Sequence, residues 1–200
     1  EIVGRWLLSR KRDDVVLATK VRFPMGDGPN YVGLSRKHIL SSVEASLKRL
    51  RTDYIDLYQL HTPDRVTPLE ETLDALADLV TAGKVRYIGS SNMTAWEVVN
   101  ADWLAESLGA PHFITAQNEY SLYNRRAEAE LVPALETFGI SLLPYFPLAY
   151  GLLTGKYDAR IEMSPAQLAQ HLQLHRVADL PQRSDRLITC ANQGKLLCEL

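Results

Sequence analysis

Cysteine is scarce in this chain of 200 residues, and both copies stand close to its end. Cys190 and Cys198 are too few and too late to form a disulfide framework, and they lack the spacing of metal ligands. We therefore predict neither a disulfide-stabilised fold nor a metal site. Because free cysteine is commonly buried, we expect the two side chains to act as small apolar residues.

Long hydrophobic runs and clusters of one charge are missing too. No apolar run approaches the roughly 20 residues of a membrane-spanning helix, and the opening EIVGRWLLSRKRDD lacks the apolar core of a signal peptide. The formal net charge is −2, and the 22 Lys and Arg residues are scattered along the chain, which argues against nucleic acid as the main partner. We therefore expect a cytoplasmic protein with neither a membrane nor a nucleic-acid partner.

Five apolar segments recur at intervals of roughly 30 to 40 residues, which is the length of one βα unit. Their apolar residues are continuous more than alternating, which indicates strands buried on both faces, as in a parallel sheet. The segments are VVLATK, YIDLYQLH, VRYIGSSN, HFITAQN and ISLLPY.

Helical patterns fill the intervals between these segments. Ser35 is predicted to cap a helix whose apolar face contains Ile39, Val43 and Leu47. The stretches 67–70 and 94–97 both match a capping box, in which a Thr side chain and a Glu three residues later satisfy the first backbone N–H groups of a helix.

Regular βα units with doubly buried strands fit either a (β/α) barrel or a doubly wound sheet. No GxGxxG follows the first strand, which lowers the weight of a Rossmann fold. A complete (β/α)8 barrel usually takes about 250 residues. Five predicted strands in 200 residues fall short of closing such a barrel, so the residues predict an α/β fold that is either an incomplete (β/α)8 barrel with about five parallel strands or a doubly wound sheet.

Each predicted strand ends on a polar residue of a kind that active sites use. The carboxyl ends of parallel strands meet at one rim, and chemistry sits at that rim in both α/β barrels and open α/β sheets. We therefore expect an active site there. The end residues are Lys20, His61, Ser91 with Asn92, Gln117 and Tyr145.

Residues 1–157 resemble the aldo-keto reductases, in the branch that includes bacterial NADP-dependent oxidoreductases and the potassium-channel β subunits. The motifs that carry the resemblance are specific in combination, and 158–200 is expected to be a divergent helical segment. The motifs are VVLATK, GLSRKHI followed by SLKRLRTDYIDLYQLH, GKVRYIGSSN, QNEYSLYNR and PYFPLAYGLLTGKY.

The resemblance implies hydride transfer between a nicotinamide and a carbonyl or alcohol carbon, without a metal. It assigns Lys20 to lowering the pKa of the family's acidic tyrosine and His61 to orienting the carbonyl oxygen. It assigns NADP(H) binding to the nicotinamide contacts Ser91, Asn92, Gln117 and Tyr145, and to the pyrophosphate loop residues Phe146, Pro147, Leu148, Ala149, Tyr150 and Lys156. Taken alone, Lys20 also fits a solvated strand end and His61 a structural histidine. The loop 23–30 fits a substrate wall and a plain connection equally well.

The family's proton-donating tyrosine and its aspartate are expected on a segment before residue 1, and Tyr31 and Tyr58 do not match that motif. The resemblance therefore predicts a truncated NADP-dependent reductase acting on a small aldehyde or ketone, with its catalytic competence open. Two alternatives remain: a non-catalytic nicotinamide-binding regulatory subunit, and an inactive remnant. Oligomeric state stays undetermined.

Overall fold

The computed structural model describes residues 1–155, and these residues belong to two compact units. One unit comprises Glu1–Asn118 and Ala127–Leu143, and the other holds Glu119–Arg126 together with the described residues 144–155. Lys156 and the predicted helical segment 158–200 lie outside the described residues. Within residues 1–155, no helix is long and apolar enough to span a membrane.

Five parallel strands form one sheet in the order β1-β2-β3-β4-β5, which confirms the predicted α/β class and the strand count. Sequential order with a helix between consecutive strands is the arrangement of a (β/α) barrel and not of a doubly wound sheet, in which strand order reverses. The strands are β1 Ala18–Val21, β2 Ile55–Leu60, β3 Val85–Ser91, β4 Phe113–Glu119 and β5 Ser141–Tyr145.

The register of the sheet places four inner positions at one level. Lys20 pairs with Gln59, Gln59 with Gly89, and Gly89 with Thr115. Residues paired in a parallel register share a face, and side chains two positions further along a strand share it too. The face that carries Lys20 and Gln59 therefore also carries His61 at the carboxyl end.

Five α-helices accompany the strands in the part of the chain that the structure describes, and their buried faces form the core with the outer face of the sheet. Ile39, Val43, Leu73, Leu76 and Ile88 are at most 1% exposed within one hydrophobic cluster. Such burial supplies most of the stability of amphipathic helices. The helices are α1 Ile2–Leu7, α2 Arg36–Leu50, α3 Leu69–Thr81, α4 Ala95–Leu108 and α5 Leu131–Phe138.

Local signals predict the starts of three helices, α2, α3 and α4, and two of these predictions are confirmed. The Ser35 hydroxyl accepts a hydrogen bond from the His38 N–H, so the predicted cap of α2 is confirmed. Thr94 and Glu97 form the predicted capping box of α4: the Thr94 side chain accepts from the Glu97 N–H, and the Glu97 carboxylate accepts from the Thr94 backbone N–H at 2.8 Å. The capping box at Thr67 is wrong: α3 begins after Pro68, and the Thr67 hydroxyl donates to Asp64 instead.

The second unit contains a turn-rich loop after β5. Phe146, Ala149 and Tyr150 have positive φ values of 51°, 46° and 56°, a region that side-chain-bearing residues seldom adopt. The Phe146 and Tyr150 rings stack with centroids 3.9 Å apart, and Leu152 is buried. The loop is therefore an ordered, strained turn of the kind that recurs at binding sites.

Candidate active site

Lys20 and His61 line one cavity of about 170 Å³, which confirms that their strand ends meet at one rim. Lys20 is the third residue of β1, and His61 directly follows β2. The His61 N–H donates to the Val21 carbonyl at 2.9 Å, so the ladder between the two strands continues to His61. The Phe23 ring lies edge-on to the His61 imidazole with centroids 4.5 Å apart, which limits how the imidazole can turn.

The cavity shifts the ionisation of both residues away from the charged form. Burial lowers the pKa of Lys20 below its ordinary value. Burial, and then the positive charges of Lys20 and Arg22, lower the pKa of His61. Because an unperturbed imidazole already titrates near 6.5, His61 is neutral at pH 7 and one of its ring nitrogens carries a proton for donation.

A hydrogen-bonded chain ties the ends of β2, β3 and β4 together. The Asn92 amide donates to the His61 carbonyl at 3.0 Å and to the Ser91 hydroxyl at 3.1 Å. The Ser91 hydroxyl donates to the Gln117 carbonyl at 2.8 Å, and the Asn92 N–H donates to the same carbonyl at 3.1 Å. Three predicted cofactor residues, Ser91, Asn92 and Gln117, are thus brought together beside His61.

The three residues differ in what they can offer a ligand. Ser91 is 1% exposed, and its hydroxyl already donates a hydrogen bond to the Gln117 carbonyl. Through its hydrogen bond from the Asn92 amide, Ser91 is placed to position Asn92, whose φ of 56° lies in the left-handed region. Gln117 offers a free acceptor: its Oε1 atom is buried without a hydrogen-bond partner among the described residues. A buried orphan acceptor is costly until a donor arrives, and the N–H of a carboxamide group is a donor of the right kind.

The remaining predicted cofactor residues that the structure describes belong to the second unit. The Tyr145 carbonyl accepts from the Tyr120 N–H at 3.4 Å, and the Tyr145 ring meets Phe146 edge-on at 5.2 Å. Burial, and then the Glu119 charge, raise the pKa of Tyr145, so its phenol is neutral. Pro147, Leu148 and Ala149 form the turn between these rings and Tyr150, and the Ala149 N–H donates to the Phe146 carbonyl at 2.8 Å. The cofactor role of this loop stays a prediction.

Two residues of this region escaped sequence reasoning. Gln59 is 2% exposed, is paired with Lys20, and leaves its Nε2 group without a hydrogen-bond partner among the described residues. Period-two spacing from His61 was the signal that could have found it. Arg22 lines the cavity with Lys20 and His61, and no local signal marked it.

Asp64 holds the loop after β1 against the loop after β2. Its carboxylate accepts from the N–H groups of Leu34 and Val66 at 2.8 and 3.0 Å and from the Thr67 hydroxyl at 2.9 Å. Burial alone would raise the pKa of Asp64, but these hydrogen bonds outweigh it and hold the pKa below its ordinary value. Asp64 therefore anchors the loop whose residues 23 and 25 wall the cavity.

Replacing Asp64 by Asn is expected to lower the free energy of unfolding at pH 7 by about 1–3 kcal/mol, the range for losing charged hydrogen bonds. A carboxyl with a depressed folded-state pKa stabilises above its unfolded pKa of about 3.9, and that stability is lost as the pH falls through the folded value. The gap between wild type and variant should thus close below about pH 4. Urea unfolding across pH 3 to 7 measures it, with the exposed Asp53→Asn as control. A gap that stays constant with pH would contradict the role of the carboxylate charge.

Comparison of the amino-acid sequence with known proteins identifies the family to which the chain belongs. The family model described as "Aldo/keto reductase family" matches residues 1–195. The chain is 43% identical over 183 residues to an uncharacterized oxidoreductase, YrpG, of Bacillus subtilis, covering 88% of this chain and 56% of that protein. The chain belongs to the aldo/keto reductase family, which confirms the resemblance predicted from its motifs.

Other relatives span more than one kind of function. A putative aryl-alcohol dehydrogenase, AAD16, of Saccharomyces cerevisiae is 41% identical over 184 residues, covering 82% of this chain and 54% of that protein. A probable voltage-gated potassium channel subunit beta of Oryza sativa is 42% identical over 160 residues, covering 78% and 48%. The chain thus spans about half the length of these relatives.

Proposed function

We propose that the protein is an NADP(H)-dependent aldo-keto reductase that transfers hydride between a nicotinamide and the carbonyl or alcohol carbon of a small substrate. The observation that carries this proposal is the placement of Lys20 and His61 in one cavity, with Asn92 hydrogen-bonded to the His61 carbonyl. Family membership and the oxidoreductase and dehydrogenase relatives support the same class of reaction.

In this proposal the chain stabilises the charge that develops on the substrate oxygen. His61, neutral at pH 7, donates a hydrogen bond to the carbonyl oxygen. The Lys20 ammonium adds positive charge at the same place, where low polarity strengthens its effect. The product alcohol forms when this oxygen takes a proton from water, and the imidazole keeps the oxygen oriented until it does.

A bound nicotinamide dinucleotide supplies the hydride. Gln117 Oε1, which is buried and has no donor among residues 1–155, fits the carboxamide N–H of such a group, and Ser91 and Asn92 fix the local backbone. Tyr145 supports the nicotinamide ring. The loop from Phe146 to Tyr150, together with Lys156, contacts the phosphates. The positive φ values at Ala149 and Tyr150 suit a turn that presents backbone N–H groups to an anion.

The second candidate is a nicotinamide-binding regulatory subunit without turnover. The channel-subunit relatives favour it. The two candidates share the cofactor site and differ in chemistry, since only the reductase needs Lys20 and His61 to act on a carbonyl oxygen. Binding of the cofactor therefore tests what they share, and turnover separates them.

Replacing Gln117 by Leu is expected to weaken NADPH binding about 10- to 100-fold, because a buried polar contact to the cofactor is lost. Titration of the purified chain with NADPH, followed by nucleotide fluorescence, measures the dissociation constant. Asn100→Leu, on the exposed face of α4, makes a comparable change away from the site and should leave the constant unchanged. Equal affinities for wild type and Gln117→Leu would remove Gln117 from the cofactor site. No saturable binding by the folded wild-type chain would contradict the proposal for this chain.

A further inference from the structure

The cavity beside His61 is strongly cationic. Lys20, Arg22 and Arg49 line it together with two histidines, and none of its lining residues is Asp or Glu. Like charges that share a partly buried cavity repel one another and lose hydration, so the arrangement is costly while the cavity lacks an anion. Lys20 already has a part in the proposed reaction, which leaves Arg22 and Arg49 without an assigned role.

Arg22 is held in an unusual backbone conformation. Its φ is 146°, a value that side-chain-bearing residues rarely adopt, and its carbonyl is fixed by the Gly33 N–H at 2.8 Å. Its Nε atom is buried without a hydrogen-bond partner among the described residues. Strain of this kind persists where the surrounding structure enforces it, and it concentrates at sites that bind ligands. A buried guanidinium N–H of this kind can be satisfied by an anionic oxygen.

Residues from one face of α2 also line the cavity. Ser42, Ser46 and Arg49 stand at positions i, i+4 and i+7, so they line the same side of the helix. Arg49 donates to the Ser46 hydroxyl at 3.2 Å, which orients the guanidinium and leaves most of its five N–H donors available. Arg22 and Arg49 thus line the same cavity, and arginine side chains can recognise a carboxylate by paired hydrogen bonds.

We propose that this cavity selects carbonyl substrates that carry a carboxylate, with Arg22 and Arg49 binding the carboxylate while the carbonyl lies at His61 and Lys20. The selectivity rests on the proposed reductase function, but the anion site itself does not. Phe23 and Met25 supply an apolar wall for the carbon skeleton. The volume of about 170 Å³ equals roughly five or six waters at about 30 Å³ each, which suits a small substrate.

Benzoate is the binding probe, and benzyl alcohol is its uncharged counterpart. Titration of the purified chain, followed by NMR chemical shifts at fixed ionic strength, should show saturable benzoate binding and much weaker binding of the alcohol. Arg22→Gln and Arg49→Gln should each weaken benzoate binding about 10- to 100-fold. Arg22→Lys keeps the charge and should lose less. Arg5→Gln, on the exposed face of α1, removes the same charge elsewhere and should leave binding unchanged.

Turnover provides the second readout. The wild-type ratio of kcat/KM for 4-carboxybenzaldehyde over 4-methylbenzaldehyde should exceed 1 and fall about 10-fold or more in Arg22→Gln. Benzoate binding no tighter than benzyl alcohol binding, or binding unaffected in both arginine variants, would overturn the anion site. NADPH binding without benzoate binding would sink this inference and leave the reductase proposal standing. Benzoate binding without NADPH binding would leave the anion site standing and contradict the reductase proposal.

Discussion

Lys20→Met is expected to lower kcat for aldehyde reduction by about 10²- to 10³-fold, the cost of removing one preorganised group that stabilises a developing oxyanion. Lys20 lies at the end of β1 in the cavity that it shares with His61, and burial lowers its pKa. Methionine keeps the length and apolar stem of the side chain, so the cavity should stay filled while its charge changes. Steady-state kinetics with NADPH and an aldehyde measure the loss.

The effect should fall on kcat rather than on KM, because the interaction strengthens as charge develops on the oxygen. Lys37→Met, on the exposed face of α2, is the matched control and should leave kcat unchanged. The pH profile adds an independent readout. Because burial lowers the pKa of Lys20, wild-type activity should decline at a lower alkaline pH than an unperturbed lysine near 10.4 would give. An unchanged kcat in Lys20→Met would remove Lys20 from the reaction.

Gly89→Val is expected to reduce the free energy of unfolding by about 3 kcal/mol, the upper end of the usual cost of overpacking. A Cβ atom at Gly89 would overlap the Thr115 hydroxyl and stand 3.3 Å from Gln59 Cγ. Both neighbours lie on adjacent strands at the same level of the sheet as Lys20. The added side chain must therefore push the strands apart at the level of Lys20 in the candidate active site. Urea unfolding followed by circular dichroism measures the loss.

Ser90→Ala is the control for this substitution. Ser90 is fully buried on the neighbouring position of β3, and its hydroxyl has no hydrogen-bond partner among the described residues. Deleting that hydroxyl creates no clash and removes an unsatisfied group, so stability should be unchanged or slightly higher. If Gly89→Val proved as stable as wild type, the close approach of Gln59 and Thr115 over Gly89 would be wrong.

The strands and the rim residues were predictable because their signals are local. Apolar runs with Lys20, His61 and Gln117 at or near their ends predicted both the strands and the polar groups at their carboxyl ends, and the parallel arrangement of the strands followed from the βα rhythm. Ser35 was found as a cap because its hydroxyl satisfies its own helix. Thr67 was wrongly predicted as the cap of α3 because the helix begins one residue later, with Pro68 at the N-cap position, and the Thr67 hydroxyl donates to Asp64.

The features that the sequence did not reveal depend on contacts between distant segments. Arg22 and Arg49 line one cavity although 27 positions separate their numbers in the chain, and only the packing of α2 against β1 brings them together. The strained backbone of Arg22 is likewise set by Gly33 in a later part of the loop. Ser91 also depends on a distant segment, since its hydroxyl donates a hydrogen bond to the Gln117 carbonyl of the neighbouring strand.

Transfer of a labelled hydride tests the central claim most directly. The purified chain is mixed with an aromatic aldehyde and NADPH that carries deuterium at both C4 positions, and the alcohol is analysed by mass spectrometry. Hydride transfer at the Lys20–His61 cavity predicts one deuterium on the alcohol carbon, with far less labelled product from Lys20→Met. Saturable NADPH binding with no labelled alcohol would contradict the reductase proposal and favour a regulatory nicotinamide-binding role.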